Sequence, residues 1–350
     1  MNHQDIEFPR TQQQRIFELI ETIDQGASNP KRIADCVMRL SSYYAENPLG
    51  KTPWNESWCQ IAYLAYYYPM NWWRMVVAIQ RSKNNGHFSN FEQLVDFGSG
   101  LGSTSFAFDF MGIDFPQGDI FIESSKIAIE LHQKLVGSNA RHSIWSQDSR
   151  KLNIDRPTLA TFSYSLTELS QIPDWVQQCQ GLLILEPATR DDGRKLMQLR
   201  RDLLPHGWSA VAPCTHQEPC PLLELTERDW CHDRVFWKQP DWLAKIEDNM
   251  PIKNGTLPFS YLFLVRNELA FQGPGTNHGR MTGDLQDFKG YSKQLFCRGK
   301  DREFVSWQHK IFGKKMQGIT RGSLVKYRIG IESKGNEIRP ESNDDIKAIE

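Results

Sequence analysis

The chain has 350 residues, of which 39% are hydrophobic, and its formal net charge is -1 at pH 7. This length can bury one large core with smaller attachments, while the nearly balanced charge excludes a general attraction to nucleic acid or anionic membranes. No segment offers about eighteen uninterrupted apolar residues, and the amino terminus has no signal-like pattern. We therefore expect a cytoplasmic protein that does not bind membranes and is a monomer.

The first predicted elements are helices. Arg15–Ile23, Ile33–Leu40 and Cys59–Tyr66 carry apolar residues at intervals of three and four. We assign residues 1–88 to a helical N-terminal domain. Aromatic residues crowd the stretch from Trp54 to Ile79, which favours a packing surface over a platform for stacking RNA bases.

From residue 93 onwards, short apolar runs alternate with helical segments, a pattern typical of βαβ units and a mostly parallel sheet. Seven strands are predicted, at residues 94–97, 119–122, 143–145, 158–164, 181–186, 208–212 and 261–265. The predicted fold class is α/β, with a doubly wound seven-stranded sheet in residues 89–290. A cysteine-rich, metal-binding insertion at 213–258 interrupts it before the last strand.

The C-terminal part concentrates positive charge. Residues 289–328 hold eleven Lys or Arg and two acidic residues, a formal charge of +9. Such a run is often only a solvated face, but mixed with aromatic rings it can neutralise phosphates and stack bases. The interleaved rings are Tyr291, Phe296, Trp307, Phe312 and Tyr327. We assign residues 291–330 to a basic extension and 331–350 to a flexible acidic tail.

A glycine-rich turn directly follows the first predicted strand and contains Gly98, Gly100 and Gly102. Absent side chains let the backbone turn sharply and approach a ligand, and the next helix offers free N–H groups. Position 103 is Ser, whereas the dinucleotide-binding pattern requires glycine there, so a pyrophosphate site is disfavoured. Instead, the turn resembles the first motif of S-adenosylmethionine-dependent methyltransferases, and an alternative is a turn that keeps this fold without the ligand.

That resemblance implies roles for three carboxylates. Asp96 belongs to the turn motif, Glu123 ends the second strand and would accept hydrogen bonds from the ribose hydroxyls, and Asp148 is the candidate for the adenine region. The fourth strand is not followed by the Asn/Asp-Pro-Pro-aromatic motif of enzymes that methylate base amino groups. Tyr164 and Glu168 could align or deprotonate an acceptor, but such residues more often cap and pack, so the catalytic residues stay unassigned.

Four of the seven cysteines form a second candidate site, which we call the thiol group: Cys214, Cys220, Cys231 and Cys297. In a reducing compartment, clustered thiols are more often metal ligands or reactive groups than disulfides. Prolines beside the first two members stiffen their loop. Their spacing matches neither zinc knuckles nor ferredoxins. Four thiolates can hold tetrahedral zinc or a four-iron cluster, and spacing alone does not choose between them.

Two histidines near the thiol group, His216 and His232, are possible substitute ligands, although surface or supporting roles are commoner. The remaining cysteines, Cys36, Cys59 and Cys179, lie in apolar helical surroundings and are expected to be buried small hydrophobes.

The segments Ala212–Pro221 and Asp229–His232 resemble the methyltransferase-like proteins of the mitochondrial small ribosomal subunit and their bacterial relatives. Further similar segments extend the resemblance over roughly residues 60–310: the glycine turn, Glu123–Ser124, Ser163–Leu169, Leu185–Thr189 and Phe259–Leu262. The family usually has Pro-His after the first of these cysteines, where this chain has Thr215, and the usual proline-rich ending is missing.

The resemblance implies that the thiol group binds a [4Fe-4S] cluster and that S-adenosylmethionine binds at the glycine turn. It also implies a protein that acts in assembly of the small ribosomal subunit and contacts its rRNA. The alternative is an active methyltransferase acting on rRNA or a ribosomal protein, with a structural zinc site. Radical chemistry is disfavoured, because it needs an open iron, typically held by three closely spaced cysteines.

Overall fold

The computed structural model describes residues 6–47, 50–83, 87–137, 143–166, 169, 171–269 and 277–349. The chain divides into two compact units. Unit 1 comprises the described residues of Met1–Ile79, Phe91–Cys179 and Val235–Leu257, and unit 2 those of Gln80–Asn90, Gln180–Arg234 and Pro258–Glu350. Within these residues, no helix is both long enough and apolar enough to cross a lipid bilayer.

Helices form the first part of unit 1. They are α1 (Arg10–Ile23), α2 (Pro30–Glu46), α3 (Ser57–Ala62), a π-helical turn (Tyr63–Tyr67) and α4 (Tyr68–Lys83), whose last four residues belong to unit 2. The start of α2 follows from its sequence, because the Asn29 side chain accepts a hydrogen bond from the Lys31 N–H and Pro30 occupies the first helical position. The apolar face of α2, including Ile33 and Leu40, is buried.

Four parallel strands form the sheet of unit 1 in the order β3-β2-β1-β4. They are β1 (Gln93–Phe97), β2 (Asp119–Ile122), β3 (Ser143–Ser146) and β4 (Thr158–Ser163), with helices α5 (Ser103–Phe110), α6 (Lys126–Val136) and, later in the chain, α9 (Asp241–Glu247). Because β1 lies between β2 and β4, the strand order reverses there. In open α/β sheets, ligands bind beyond the carboxyl ends of the strands at such a reversal.

Unit 2 contains an antiparallel group in which β8 pairs with both β5 and β6. Its elements are β5 (Gly181–Glu186), α7 (Arg190–Leu203), β6 (Trp208–Ala212), α8 (Pro221–Glu224) and β8 (Leu257–Arg266), and β7 (Asp233–Val235) spans the boundary between the units. β5 is buried along its whole length, consistent with its continuous apolar sequence.

The C-terminal residues of unit 2 form a second sheet in the order β14-β15-β12-β11-β9-β13-β16, with β10 paired to β11. Its elements are β9 (His278–Met281), β10 (Gln286–Phe288), β11 (Tyr291–Cys297), β12 (Glu303–Gln308), α10 (His309–Phe312), β13 (Leu324–Tyr327), β14 (Ser333–Lys334), β15 (Glu337–Ile338) and β16 (Ile346–Ala348). Phe296 and Val305 are central to its core, and alternate residues of β11 are buried, as expected for a strand with one buried face.

The structure differs from the expected domain boundaries in three places. The N-terminal helices share unit 1 with β1–β4, and the interval 213–258 is divided between the units. The expected flexible tail contributes strands β14–β16, and its Ile338 and Ile346 are buried in the core of the second sheet. An acidic, polar composition predicted mobility, but three spaced apolar side chains, Ile331, Ile338 and Ile346, pack in this core, and short strands of the segment pair with the sheet.

Candidate functional site

The glycine turn joins β1 to α5 and has a left-handed backbone at all three glycines, with φ values of +67°, +50° and +77° at Gly98, Gly100 and Gly102. A Cβ at Gly98 would lie 2.5 Å from the Cβ of Ser165, and a Cβ at Gly102 would lie 2.0 Å from the Nε2 of His132. Conformation and space therefore both require glycine at these two positions.

Gly100 has a different environment, because the nearest atoms to a Cβ built there are 4.0 Å away, one of them in the Trp54 ring. Its N–H donates a hydrogen bond of 3.1 Å to Oε2 of Glu123. Side chains are thus absent where the turn borders open space, which lets a ligand approach the backbone closely.

That open space is a cavity of about 670 Å³, within the range of about 300–1,000 Å³ usual for small-molecule sites. The glycine turn forms one wall, and residues following β2 and β4 form others. The N-terminal segment around Trp54 also lines it. All of these residues belong to unit 1.

Glu123 lines this cavity and is 8% exposed. Its Oε1 accepts a hydrogen bond of 2.8 Å from the Ser125 N–H, and its Oε2 accepts the one from Gly100. Each carboxylate oxygen has two lone pairs, so the anchored carboxylate keeps acceptor capacity for a ligand.

Asp96 lies behind the turn and is 1% exposed. Its Oδ1 accepts a hydrogen bond of 2.7 Å from Thr161 Oγ1, while Oδ2 has no hydrogen-bond partner among the described residues. Burial raises the pKa of this carboxyl group to about 7. Asp96 is not among the residues that line the cavity, so it acts on the turn from behind.

Asp148 caps a short 3-10 helix by accepting a hydrogen bond from the Arg150 N–H, and it also pairs with the Arg150 guanidinium at 2.9 Å. Its neighbour Gln147 lines the cavity, whereas Asp148 does not. Only carboxylates were predicted as site residues at this strand end, so the amide of Gln147 was not anticipated.

Aromatic residues of the N-terminal segment also line the cavity, namely Trp54, Tyr63 and Tyr68. The Trp54 and Tyr63 rings are 4.6 Å apart, and Tyr63 begins the π-helical turn. Such turns occur frequently at functional sites. The sequence of this stretch predicted a packing surface rather than a platform for RNA bases. The concentration of aromatic residues was visible, but the π-helical turn that directs Tyr63 was not.

At the end of β4, Tyr164 lines the cavity with a left-handed backbone, φ +58°. Such a conformation is uncommon for a bulky residue and costs free energy. The guanidinium carbon of Arg74 lies 5.8 Å from the Tyr164 ring centroid. Glu168, the other acceptor-side candidate, lies outside the described residues.

The thiol group lies in unit 2, where all four members line one cavity of about 40 Å³. Residues 83 positions apart in sequence therefore come together at one place. All seven cysteines of the chain are free thiols. Cys59 and Cys179 are buried elsewhere, and Cys36 is half-buried.

In this arrangement, no three His, Cys, Asp or Glu side chains among the described residues are placed to hold one metal ion. Burial raises the pKa of the Cys220, Cys231 and Cys297 thiols. Because metal ligands are thiolates, binding of a metal there would release the protons of these three thiols. The donor set itself, four sulfurs on one cavity, fits a soft metal centre.

The two nearby histidines differ in their partners. His216 Nε2 lies 3.3 Å from the Cys297 sulfur, and burial lowers the pKa of His216 to about 4. His232 Nε2 lies 2.9 Å from Nη1 of Arg321, and burial together with this arginine lowers the pKa of His232 to about 4. Both imidazoles are therefore neutral, and His232 is occupied as an acceptor.

A sequence model of the family described as mitochondrial small ribosomal subunit Rsm22 matches residues 58–271. The chain belongs to the Rsm22 family. The match begins in α3 and extends past β8, so it includes the glycine turn and three members of the thiol group. No curated protein matches the chain.

The structure of this Rsm22-family chain is similar to several solved methyltransferases. One is a protein of Listeria monocytogenes proposed to be a class I S-adenosylmethionine-dependent methyltransferase, with TM-score 0.40, 8% identity, and 76% of this chain and 91% of that chain covered. A second is the plantazolicin methyltransferase BamL with bound SAH, with TM-score 0.36, 9% identity, and 68% of this chain and 98% of that chain covered. A third is M. capricolum TrmK with bound SAH, with TM-score 0.31, 11% identity, and 57% of this chain and 72% of that chain covered. The described strands and helices form an α/β arrangement with mixed sheets.

Proposed function

We propose that this chain is a ribosome-associated protein of methyltransferase-like fold that binds S-adenosylmethionine and a [4Fe-4S] cluster and acts in assembly of the small ribosomal subunit. Membership of the Rsm22 family carries this proposal. The glycine-turn cavity supports the first ligand and the thiol group supports the second. The basic C-terminal sheet supports contact with rRNA.

The backbone of the glycine turn is the feature that would accommodate S-adenosylmethionine. Gly100 borders the cavity without a side chain, so the amino-acid half of the ligand would lie over the turn. Glu123 would accept hydrogen bonds from the ribose hydroxyls, and Gln147 or Asp148 would lie toward the adenine. When bound, the ligand supplies a methyl group on a positively charged sulfur.

Calorimetric titration of the purified protein with S-adenosylmethionine and with SAH tests this part. We expect one site per chain and weaker binding by the Gly100→Val variant, whose side chain would enter the cavity. Because the nearest atoms to a Cβ at Gly100 are 4.0 Å away, this variant should keep more of its fold than the same change at Gly102. A wild-type protein that binds neither ligand would leave only a fold without its cofactor.

For the metal, anaerobic purification followed by iron, sulfide and zinc analysis distinguishes the two candidates. A [4Fe-4S] cluster predicts about four iron and four sulfide per chain with broad visible absorption. Stoichiometric zinc in a colourless protein would overturn the cluster. The Cys36→Ser variant is the control, because its thiol lies on α2 of unit 1.

The positive charge of residues 289–328 is divided between two kinds of side chain. Four arginines form ion pairs within unit 2: Arg298 with Glu303, Arg302 with Asp229, Arg321 with Asp284 and Arg328 with Asp345. Six lysines are exposed and have no ion pair among the described residues: Lys289, Lys300, Lys310, Lys314, Lys315 and Lys326. The lysines would therefore contact phosphates.

The aromatic part of this surface differs from the expectation. Phe296 and Trp307 are 1% and 4% exposed and belong to the core of the second sheet, so they cannot stack on bases. Phe288, which the sequence analysis missed, is 41% exposed and stacks on Tyr291 with ring centroids 5.1 Å apart. The Lys293 ammonium lies 4.9 Å from the Phe288 ring centroid. This pair of rings on the β10–β11 hairpin is the candidate platform for a base.

Filter binding of full-length protein to small-subunit rRNA fragments, over a series of salt concentrations, tests the surface. We expect affinity to fall steeply between about 50 and 200 mM salt. A Lys314→Glu/Lys315→Glu double variant should bind more weakly and with a shallower salt slope. Lys195→Glu, an exposed lysine on α7, is the matched control. Binding that ignores salt, or an equal loss in both variants, would contradict the proposed surface.

An active methyltransferase is the second candidate, favoured by the left-handed Tyr164 at the cavity wall. Its acceptor would lie against this residue at the end of β4. Transfer of labelled methyl groups to immature small subunits, abolished by Tyr164→Ala, would support it. No transfer across the assembly intermediates would leave the non-catalytic function.

A further inference from the structure

Two arginines are buried at the cavity of the thiol group. Arg200 on α7 is 2% exposed and Arg280 on β9 is 3% exposed, and both line the cavity. A buried guanidinium loses its hydration, and an opposite charge or well-placed acceptors must compensate that loss. Asp233 interacts electrostatically with Arg280, so Arg200 is the arginine whose charge the thiol group would have to balance.

Arg200 connects to the loop that carries the first two thiols. Its Nη2 donates hydrogen bonds of 2.8 and 3.0 Å to the backbone carbonyls of His216 and Glu218. These residues lie between Cys214 and Cys220 in sequence. These hydrogen bonds tie the loop between Cys214 and Cys220 to helix α7, which carries Arg200.

The Nε of Arg200 is buried without a hydrogen-bond partner, and no carboxylate forms an ion pair with Arg200 among the described residues. The cavity that Arg200 lines is bordered by all four members of the thiol group, and none of its described lining residues is Asp or Glu. Thiolates formed on metal binding would therefore supply the opposite charge.

Arg280 supports the same loop from the other sheet of unit 2. Its Nε donates a hydrogen bond of 2.9 Å to the carbonyl of Pro213, and its Nη1 one of 2.8 Å to the carbonyl of Gly322. Pro213 directly precedes Cys214, so the two arginines hold the loop on either side of that thiol.

Formal charges agree with this arrangement. Four thiolates around a core of charge +2 leave a net charge of about -2, and in iron–sulfur sites this charge and the hydrogen bonds to the sulfurs set the reduction potential. The Arg200 guanidinium would supply opposite charge. The same count applies to zinc, so the inference depends on the proposed thiolate centre but not on which metal occupies it.

We propose that Arg200 is a positioning residue for this centre, which balances its negative charge and holds the loop from Cys214 to Cys220 against it. With a cluster bound, the positive charge raises the reduction potential, because reduction adds an electron next to a fixed cation. With either metal, the residue slows release of the metal.

The test uses the full-length protein, purified without oxygen, with the variants Arg200→Gln and Arg200→Lys. Arg201→Gln is the matched control, because Arg201 is the next residue on α7, is 55% exposed at its side chain and pairs with Asp202. The measurements are metal and sulfide content, the rate of metal loss to a chelator, and a dye-mediated potential titration followed by visible absorption.

We expect Arg200→Gln to lose metal at least tenfold faster than wild type. At a fixed poise, we expect its reduced-to-oxidised ratio to fall about tenfold, which corresponds to about 59 mV for one electron. Arg200→Lys should restore most of the potential while still losing metal quickly, because it keeps the charge but not the two-carbonyl fork. A merely structural role would not move the potential of the cluster that remains bound.

A loaded Arg200→Gln protein with the potential and release rate of Arg201→Gln would overturn the inference. If Arg200→Gln does not fold, Arg200→Lys decides, since unchanged metal release in that variant also contradicts it. Zinc in the wild-type protein would refute the proposed cluster, and the release rates alone would then test Arg200. Wild-type protein that holds neither metal would refute the proposed centre and with it this inference.

Discussion

The glycine-turn cavity of unit 1 and the thiol cavity of unit 2 are built in different ways. The first is formed largely by backbone, with left-handed glycines and space for a ligand of about 670 Å³. The second encloses about 40 Å³ between side chains. Backbone conformation shapes the first cavity, whereas the positions of side chains shape the second.

The two sites should therefore depend to different degrees on their ligands for stability. Neutral thiols pack together as small apolar groups, whereas thiolates need a metal and a counter-charge. Arg200 is buried and lines the thiol cavity, so it would supply that counter-charge. A ligand should therefore change the thermal stability of unit 2 more than that of unit 1.

The largest expected effect comes from the backbone-built site. Gly102→Ala introduces a Cβ 2.0 Å from His132 Nε2 on a left-handed backbone, and we expect the free energy of unfolding to fall by about 3 kcal/mol or more. Gly112→Ala has a similar φ of +65° but nothing within 4 Å, so it should cost only about 1–2 kcal/mol. Urea unfolding measures both, and equal losses would mean that the close approach to His132 is unimportant.

The next largest effect is expected when one thiol of the thiol group is removed. Cys220→Ser should remove most of the bound metal and make residues 213–297 sensitive to protease, because metal-binding energy is also folding energy. Metal analysis and limited proteolysis measure these changes. Chelator treatment of wild type should give the same cleavage pattern, and Cys36→Ser should leave it unchanged. Full metal content in Cys220→Ser would exclude that thiol as a ligand.

The sequence predicted a sharp glycine turn, because glycine spacing after an apolar strand reports directly on backbone conformation. Gly98 and Gly102 are required by close contacts, and the apolar runs predicted at 181–186 and 208–212 lie at β5 and β6. The second sheet was not predicted. Its strands are short and alternate charged with apolar residues. Residues 289–328 were therefore interpreted as a basic extension, and no strands were predicted there.

The walls of the cavity also escaped prediction, for a geometric reason. Trp54 and Tyr63 are about forty residues from the glycine turn, and no local pattern links distant segments. Phe296 and Trp307 were wrongly considered as base-stacking residues, because an aromatic among lysines looks exposed in sequence. Strand alternation in β11 places Phe296 on the buried face instead.

A smaller effect sharpens the description of the ligand cavity. Glu123→Gln should weaken S-adenosylmethionine binding by about tenfold or more, since a hydrogen bond to a charged group is worth about 1.5–3 kcal/mol. Asp148→Asn should change the affinity less, because its carboxylate is already occupied by Arg150, whereas Gln147→Ala should have an intermediate effect. Calorimetry measures all three, and a larger loss from Asp148→Asn than from Glu123→Gln would restore Asp148 as the main polar contact.

The smallest expected effect concerns Asp96, a carboxyl group behind the glycine turn whose protonation depends on pH. Burial raises the pKa of Asp96 from 3.8 to about 7, so the folded protein binds this proton more tightly than the unfolded chain. The stabilisation is complete below about pH 4 and is lost as the pH rises to about 7. Asp96→Asn stays neutral, so its melting temperature relative to wild type should rise by a few degrees between pH 5 and 8. Asp155→Asn is the control, because Arg156 lowers the pKa of exposed Asp155. The Asp155 carboxylate is therefore ionised in both the folded and the unfolded protein between pH 5 and 8. A difference between Asp96→Asn and wild type that does not change with pH would mean that Asp96 is already ionised in the folded protein and that the turn supplies it with a partner.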